Sequence, residues 1–143
     1  MEKSNILAQK VLLFMQTELD RPLQAEDLAD AMKLKGKELA AFWSVLDLLE
    51  AKALVIKTRY GKYGLPDKMN LLVGRFVANK RGFGFVIDDN NSGDDLFISP
   101  SDTLNAMNND KVVARIHKHN SRDGQRREGE IIRIVERSNQ KIV

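Results

Sequence analysis

The stretch Arg81-Gly82-Phe83-Gly84-Phe85-Val86-Ile87, followed after a short loop by Asp95-Leu96-Phe97-Ile98, decides how this chain is read. Side chains on a strand alternate between its two faces. Phe83 and Phe85 therefore point the same way, with Arg81 beside them, and the intervening glycines leave the opposite face bare. Core phenylalanines there would put bare Gly82 and Gly84 on the solvent side, which weakens a strand without purpose. The pattern thus predicts an outward pair of rings. The same register sends Leu96 and Ile98 inward and Phe97 and Ser99 outward, so Phe97 joins the pair. Flat rings beside a cation suit single-stranded nucleic acid, whose bases stack and whose phosphates carry charge. The competing reading is that the rings fill a core or a domain interface.

Around this stretch the second half of the chain has the period of short strands. They are expected near Leu71–Ala78, Gly82–Ile87, Asp95–Ile98, Val112–Ile116 and Glu130–Val135, with polar loops at Asn90-Asn91-Ser92-Gly93 and from Asn120 to Gly129. Five short strands over about 70 residues predict a small closed barrel of the OB type.

The first half reads differently. Apolar residues from Asn5 to Leu19 crowd too closely for strand alternation, and Arg21-Pro22 stops that helix. A short helix is expected from Ala25 to Met32, with Glu26 and Asp27 in its first turn where they suit the dipole. After a turn at Lys33–Gly36, Leu39, Phe42, Leu46 and Leu49 mark a third helix reaching about Glu50. Ala53–Tyr60 has strand character, and Gly61 and Gly64 are expected to bracket a turn holding Lys62 and Tyr63. Helix, helix, turn, helix and hairpin is the order of a winged helix-turn-helix. Lys33, Lys35 and Lys37 then lie at the recognition helix, and Lys57, Arg59 and Lys62 on the wing.

The expected fold is therefore α+β in two small domains: an α-rich winged helix-turn-helix over residues 1–66, a linker at 67–70, and an all-β five-stranded OB barrel over 71–143. The chain has 143 residues, of which 43% are apolar and 30% charged, and a net charge of +3. Neither half is strongly basic, so an electrostatic footprint must come from local clustering. Without cysteine there are no disulfides or thiolate metal sites, and no apolar run approaches the ~20 residues of a membrane span. No membrane partner is expected, and the working localisation is cytoplasmic.

Chemistry is sparse. Asp88-Asp89 and Asp94-Asp95 flank a loop, where solvated turn carboxylates are the plain reading. His117 and His119 lack an evident third ligand for a metal. Gly82-Phe83-Gly84 is not a phosphate-binding glycine loop. No catalytic residue and no metal site is expected in this chain.

Arg81–Val86 resembles the first RNA-binding motif of cold-shock domains, Lys-Gly-Phe-Gly-Phe-Ile/Val, and Asp95–Ile98 resembles the second, Val-Phe-Val-His. The first-strand Trp of bacterial cold-shock proteins is absent from Gly74-Arg75-Phe76-Val77-Ala78-Asn79, and Ser99-Pro100 replaces His-Phe. Phe76 serves either the platform or the core. Ala106-Met107-Asn108-Asn109-Asp110-Lys111-Val112 and the ending from Arg127 to Arg137 are similar to the first cold-shock domain of the ribonuclease R/ribonuclease II family, with its A-x-x-G-D-x-V and R-x-E-G-x-I-x-x-I-x-E-R patterns. Asn109 stands for Gly, a tolerable change because Asn also visits positive φ. The helical half resembles the winged helix that precedes this domain in such enzymes.

The resemblance implies an RNA-binding segment of a processive 3′→5′ exoribonuclease, whose Mg²⁺-binding catalytic domain would lie outside this chain. It implies stacking by Phe83, Phe85, Phe97 and Phe76. Phosphates would meet Arg75, Lys80, Arg81, Arg115, Arg122, Arg126 and Arg127. The winged helix would engage structured RNA or a protein partner through its six basic residues. The alternative is a free-standing nucleic-acid-binding regulator or RNA chaperone with no hydrolytic activity.

Overall fold

The structure is a computed structural model that describes residues 2–88, 95–117 and 127–138, with side chains from Asn5 onward. The chain divides into two compact units, Met1–Met69 and Asn70–Val143, and the class is α+β.

The first unit holds α1 (Glu2–Glu18), β1 (Leu23–Gln24), α2 (Ala25–Ala31), α3 (Gly36–Ala51), β2 (Ile56–Lys57) and β3 (Lys62–Gly64). Its core follows helical spacing: Leu7, Val11 and Met15 of α1 meet Leu28 of α2 and Phe42, Val45, Leu46 and Leu49 of α3, closed by Val55, Tyr63 and Leu65. The three strands form an antiparallel sheet in the order β1-β3-β2. A strand at Leu23–Gln24 has no counterpart in the sequence reading, because two residues show no periodicity.

The strand expected from Ala53 to Tyr60 is shortened to Ile56–Lys57. Ala53 has a φ of 60° and closes α3: its N–H donates to Glu50 O at 3.0 Å, and that of Leu54 donates to Leu49 O at 2.9 Å. This paired closure satisfies two carbonyls left open at the helix end, and it holds Leu54 and Val55 back from the sheet. Lys33 closes α2 in the same way, with a φ of 60°. The hairpin turn also moves: Gly61 N–H donates to Thr58 O at 3.0 Å, so the turn is Thr58–Gly61, and Lys62 and Tyr63 lie on β3.

Residues 67–70, read above as the linker, begin inside a 3₁₀ turn at Pro66–Met69. Lys68 Nζ donates to the carbonyls of Met15, Gln16 and Leu19 at 3.1, 2.7 and 2.6 Å. A cation at three terminal carbonyls suits the negative end of the α1 dipole.

The second unit is a closed barrel of β4 (Leu71–Ala78), β5 (Gly84–Asp88), β6 (Leu96–Ile98), β7 (Lys111–Ile116) and β8 (Arg127–Glu136), in the order β4-β5-β6-β8-β7. β6 and β8 are parallel and the other pairs antiparallel. Alternation fills the interior with Leu72, Phe76, Val86, Leu96, Ile98, Val112, Ala114 and Ile131.

Phe76 is only 1% exposed. It is core, which corrects its inclusion among the stacking residues, and its ring explains the neighbouring glycine. A Cβ on Gly84 would lie 2.5 Å from the Phe76 ring and 2.6 Å from Val77 O. Gly84 is bare because Phe76 occupies the space. Gly82, expected on the strand, instead has a φ of 100° in the turn before β5.

One buried carboxylate ties the barrel shut. Asp110 is fully buried. Its Oδ2 accepts bonds from Met107 N–H at 2.8 Å and Arg137 Nη1 at 3.1 Å, and its Oδ1 accepts from Ser138 N–H at 3.0 Å. Arg137 also donates to Asn105 O at 3.0 Å. The turn motif and the strand ending singled out in the sequence are thus two halves of one clasp. Asn109 takes the expected positive φ, 74°. Asn108 Oδ1 accepts from Ala78 N–H at 2.9 Å, fastening the turn to the end of β4.

Candidate nucleic-acid interface

Strand register builds one row across the outside of the barrel. Val77 on β4 pairs with Phe85 on β5. Phe85 pairs with Phe97 on β6, and Phe97 with Glu128 on β8. Phe83 joins from the residue before β5, held by a bond from Asn79 N–H to Phe83 O at 2.8 Å. The centroid of its ring lies 6.0 Å from that of Phe85 and 5.6 Å from that of Phe97, and those of Phe85 and Phe97 are 5.6 Å apart. All three are half-buried. Each ring is braced by the other two while part of its surface stays in water. The tilts between them, 39° to 89°, present both faces and edges.

The cations expected around these rings are distributed unevenly. Arg75 is exposed on β4, where its register partner on β5 is Ile87. Its Nη1 donates to Asn109 Oδ1 at 2.9 Å, which orients the guanidinium. Lys80 and Arg81 are exposed in the β4–β5 turn directly before Phe83. That turn is pinned by Asn79, whose Oδ1 accepts from Arg81 N–H at 2.9 Å.

Arg115 lies apart from this group. It sits on β7, which borders β4 and β8 but neither β5 nor β6, and it pairs with Glu130 at 3.1 Å. Arg127 is half-buried and shares its register position with inward-facing Leu96, so the residue aligned with Phe97 is Glu128. Arg122 and Arg126 lie outside the described residues, as do Asp89, Asp94 and His119. Among the described residues no group of three or more His, Cys, Asp or Glu is placed to hold a metal ion.

Sequence reasoning missed two members of this surface, Val77 and Glu128. Val77 is half-buried on the outward face, and the alternation of β4 carried that signal. Glu128 places an exposed carboxylate at the end of the row, and only the parallel β6–β8 pairing reveals it.

In the first unit Lys33, Lys35 and Lys37 are exposed at and after the α2–α3 turn, and Lys57, Arg59 and Lys62 are exposed on the hairpin. Lys57 Nζ lies 5.8 Å from the centre of the Tyr63 ring. The described helices include none long and apolar enough to cross a membrane.

A barrel of this topology with an outward aromatic row belongs to the OB class, and residues 74–134 match the family model described as the Ribonuclease B OB domain. Along its greater length the chain is similar to ribonuclease R of Acidithiobacillus ferrooxidans, with 30% identity over 138 residues, 96% of this chain and 31% of that protein. It is also similar to ribonuclease R of Vibrio parahaemolyticus, 31% identical over 125 residues, and of Escherichia coli, 27% identical over 131. Those alignments cover 85% and 91% of this chain but 15% and 16% of the relatives. The chain thus spans less than a third of the relatives it matches, and the likenesses support a segment related to the ribonuclease II/R family.

Proposed function

We propose that the chain is the RNA-binding segment of a processive 3′→5′ exoribonuclease, with the barrel acting as a cold-shock-type grip on single-stranded RNA. The observation that carries this is the mutual contact of Phe83, Phe85 and Phe97 on one outward face. A core would enclose such rings; here water reaches all three. Bases stack on Phe85 and Phe97, Phe83 braces them, and phosphates meet Lys80 and Arg81 on the turn side of Phe85 and Arg75 on its other side. Stacking contributes about 1–3 kcal/mol per base and tolerates any sequence, as a strand passing toward a nuclease requires.

The helical unit acts as a winged helix, with α3 as its recognition helix and β2–β3 as its wing. Its five exposed lysines and one arginine suit structured RNA, while protein docking is the competing use of such a fold. Hydrolysis belongs to a catalytic domain outside this chain, where Mg²⁺ would supply the two-metal chemistry of phosphodiester cleavage. The cell compartment is proposed to be the cytoplasm. A free-standing RNA chaperone would use the same platform without hydrolysis, and reading the encoding gene past Val143 separates the two.

The test of the grip is Phe85→Ala with Phe97→Ala. Affinity for a single-stranded oligoribonucleotide should fall at least tenfold with far-UV circular dichroism unchanged. Wild-type affinity in a folded variant would overturn the proposal.

A further inference from the structure

Tyr60 is 73% exposed, although it is a large aromatic residue in a structured turn. Among the described residues its ring takes no part in the core of its unit, yet its backbone is closely held. Thr58 Oγ1 accepts from Tyr60 N–H at 3.2 Å and from Lys62 N–H at 3.1 Å. Thr58 N–H donates to Lys62 O at 2.7 Å and Gly61 N–H to Thr58 O at 3.0 Å. Gln24 Nε2 reaches Tyr60 O at 3.4 Å from β1. Gly61 takes the positive φ, 81°, that lets the chain return to β3. The turn is built to present whatever stands at position 60.

Its surroundings are cationic. The Arg59 guanidinium lies 5.7 Å from the centre of the Tyr60 ring. Residues 51–66 contain Lys52, Lys57, Arg59 and Lys62 and no carboxylate, a charge of +4, whereas the whole chain carries +3. The stretch is thus locally cationic, and three of its four cations, Lys57, Arg59 and Lys62, lie on the hairpin. Among the described residues no salt bridge engages Lys57, Arg59 or Lys62.

We infer that the hairpin tip is a second RNA contact, in which the Tyr60 ring stacks on an exposed nucleobase while Arg59 and Lys62 meet the flanking phosphates. An aromatic ring flanked by unneutralised cations matches the chemistry of an unstacked nucleotide. Protein interfaces also favour Tyr and Arg but are depleted in Lys, and two of the three hairpin cations are Lys57 and Lys62. The inference rests on the reading that the chain binds RNA, but it uses a surface separate from the phenylalanine face.

The experiment is fluorescence anisotropy of the full chain with two labelled oligoribonucleotides, a hairpin bearing a single-stranded 3′ extension and an unstructured strand, across a salt series. Tyr60→Ala should weaken binding of the extended hairpin about tenfold, with an unchanged salt slope because no charge is lost. Tyr60→Phe should restore it. Arg59→Gln should instead reduce the salt slope by about one phosphate equivalent. Because Tyr60 is exposed, the variants should keep the wild-type melting temperature. Wild-type affinity in Tyr60→Ala, with Phe85→Ala and Phe97→Ala still weakening binding, overturns this inference alone and leaves the hairpin to a protein partner. Absence of RNA binding by the wild-type chain overturns the proposed function, and this inference with it.

Discussion

Replacing Asp110 with alanine should unfold the barrel far more readily than any surface change. The side chain is fully buried and accepts three bonds, from Met107 N–H, Ser138 N–H and Arg137 Nη1. Alanine orphans two backbone donors, each costing about 1–3 kcal/mol when left unpaired. It also strips the ion pair with Arg137; removing one partner of a fully buried pair typically costs about 3–5 kcal/mol. Here Arg137 is 42% exposed, so its charge can turn to water and the ion-pair loss is small, while Met107 and Ser138 are exposed residues whose N–H groups water partly relieves. The expected loss is about 3 kcal/mol, mainly from the two donors. For a unit of this size each kcal/mol lowers the melting temperature by about 4–8 °C, so a fall of ~12 °C or more is expected. Urea denaturation followed by circular dichroism measures it, with an unchanged slope showing that the unfolded state is not altered. Arg137→Ala should cost a comparable amount, about 3 kcal/mol, because it leaves the fully buried Asp110 carboxylate without its cation. A loss below 1 kcal/mol for Asp110→Ala with an unchanged slope would refute the clasp.

Gly84→Ala should destabilise the barrel by about 1–3 kcal/mol, since the new methyl meets the Phe76 ring and Val77 O and the packing must shift; thermal unfolding reads it. Lys68→Met should lower the stability of the helical unit by about 1 kcal/mol or more by removing the cation from three α1 carbonyls, measured by the same melt. Lys57→Glu with Arg59→Glu should lower affinity for duplex RNA and flatten its salt dependence, and unchanged binding would assign the hairpin to a protein partner.

Much of the barrel was legible because its strands alternate. The limits of β4, Leu71–Ala78, match the expected ones, and the outward placement of Phe83, Phe85 and Phe97 followed from period two. The argument from glycine reached the right face for an incomplete reason. Gly84 is bare to admit Phe76, a contact across β4 and β5 that a linear pattern does not display. Asp110 and Arg137 are 27 residues apart, so their motifs were visible separately and their union was not. Arg127 was assigned to phosphate by its charge, but the parallel β6–β8 register gives Phe97 the neighbour Glu128. Helix ends at Lys33 and Ala53 lacked the glycine that usually announces a left-handed closure, and the expected strand ran into one of them.

Photo-cross-linking of single-stranded RNA to the intact chain, with the modified residues located by mass spectrometry, tests the central claim most directly. The predicted cross-links fall on Phe83, Phe85 and Phe97, and are displaced by unlabelled single strand. Cross-links confined to the β7 face around Lys111 and Arg115, with the three phenylalanines unmodified, would contradict it.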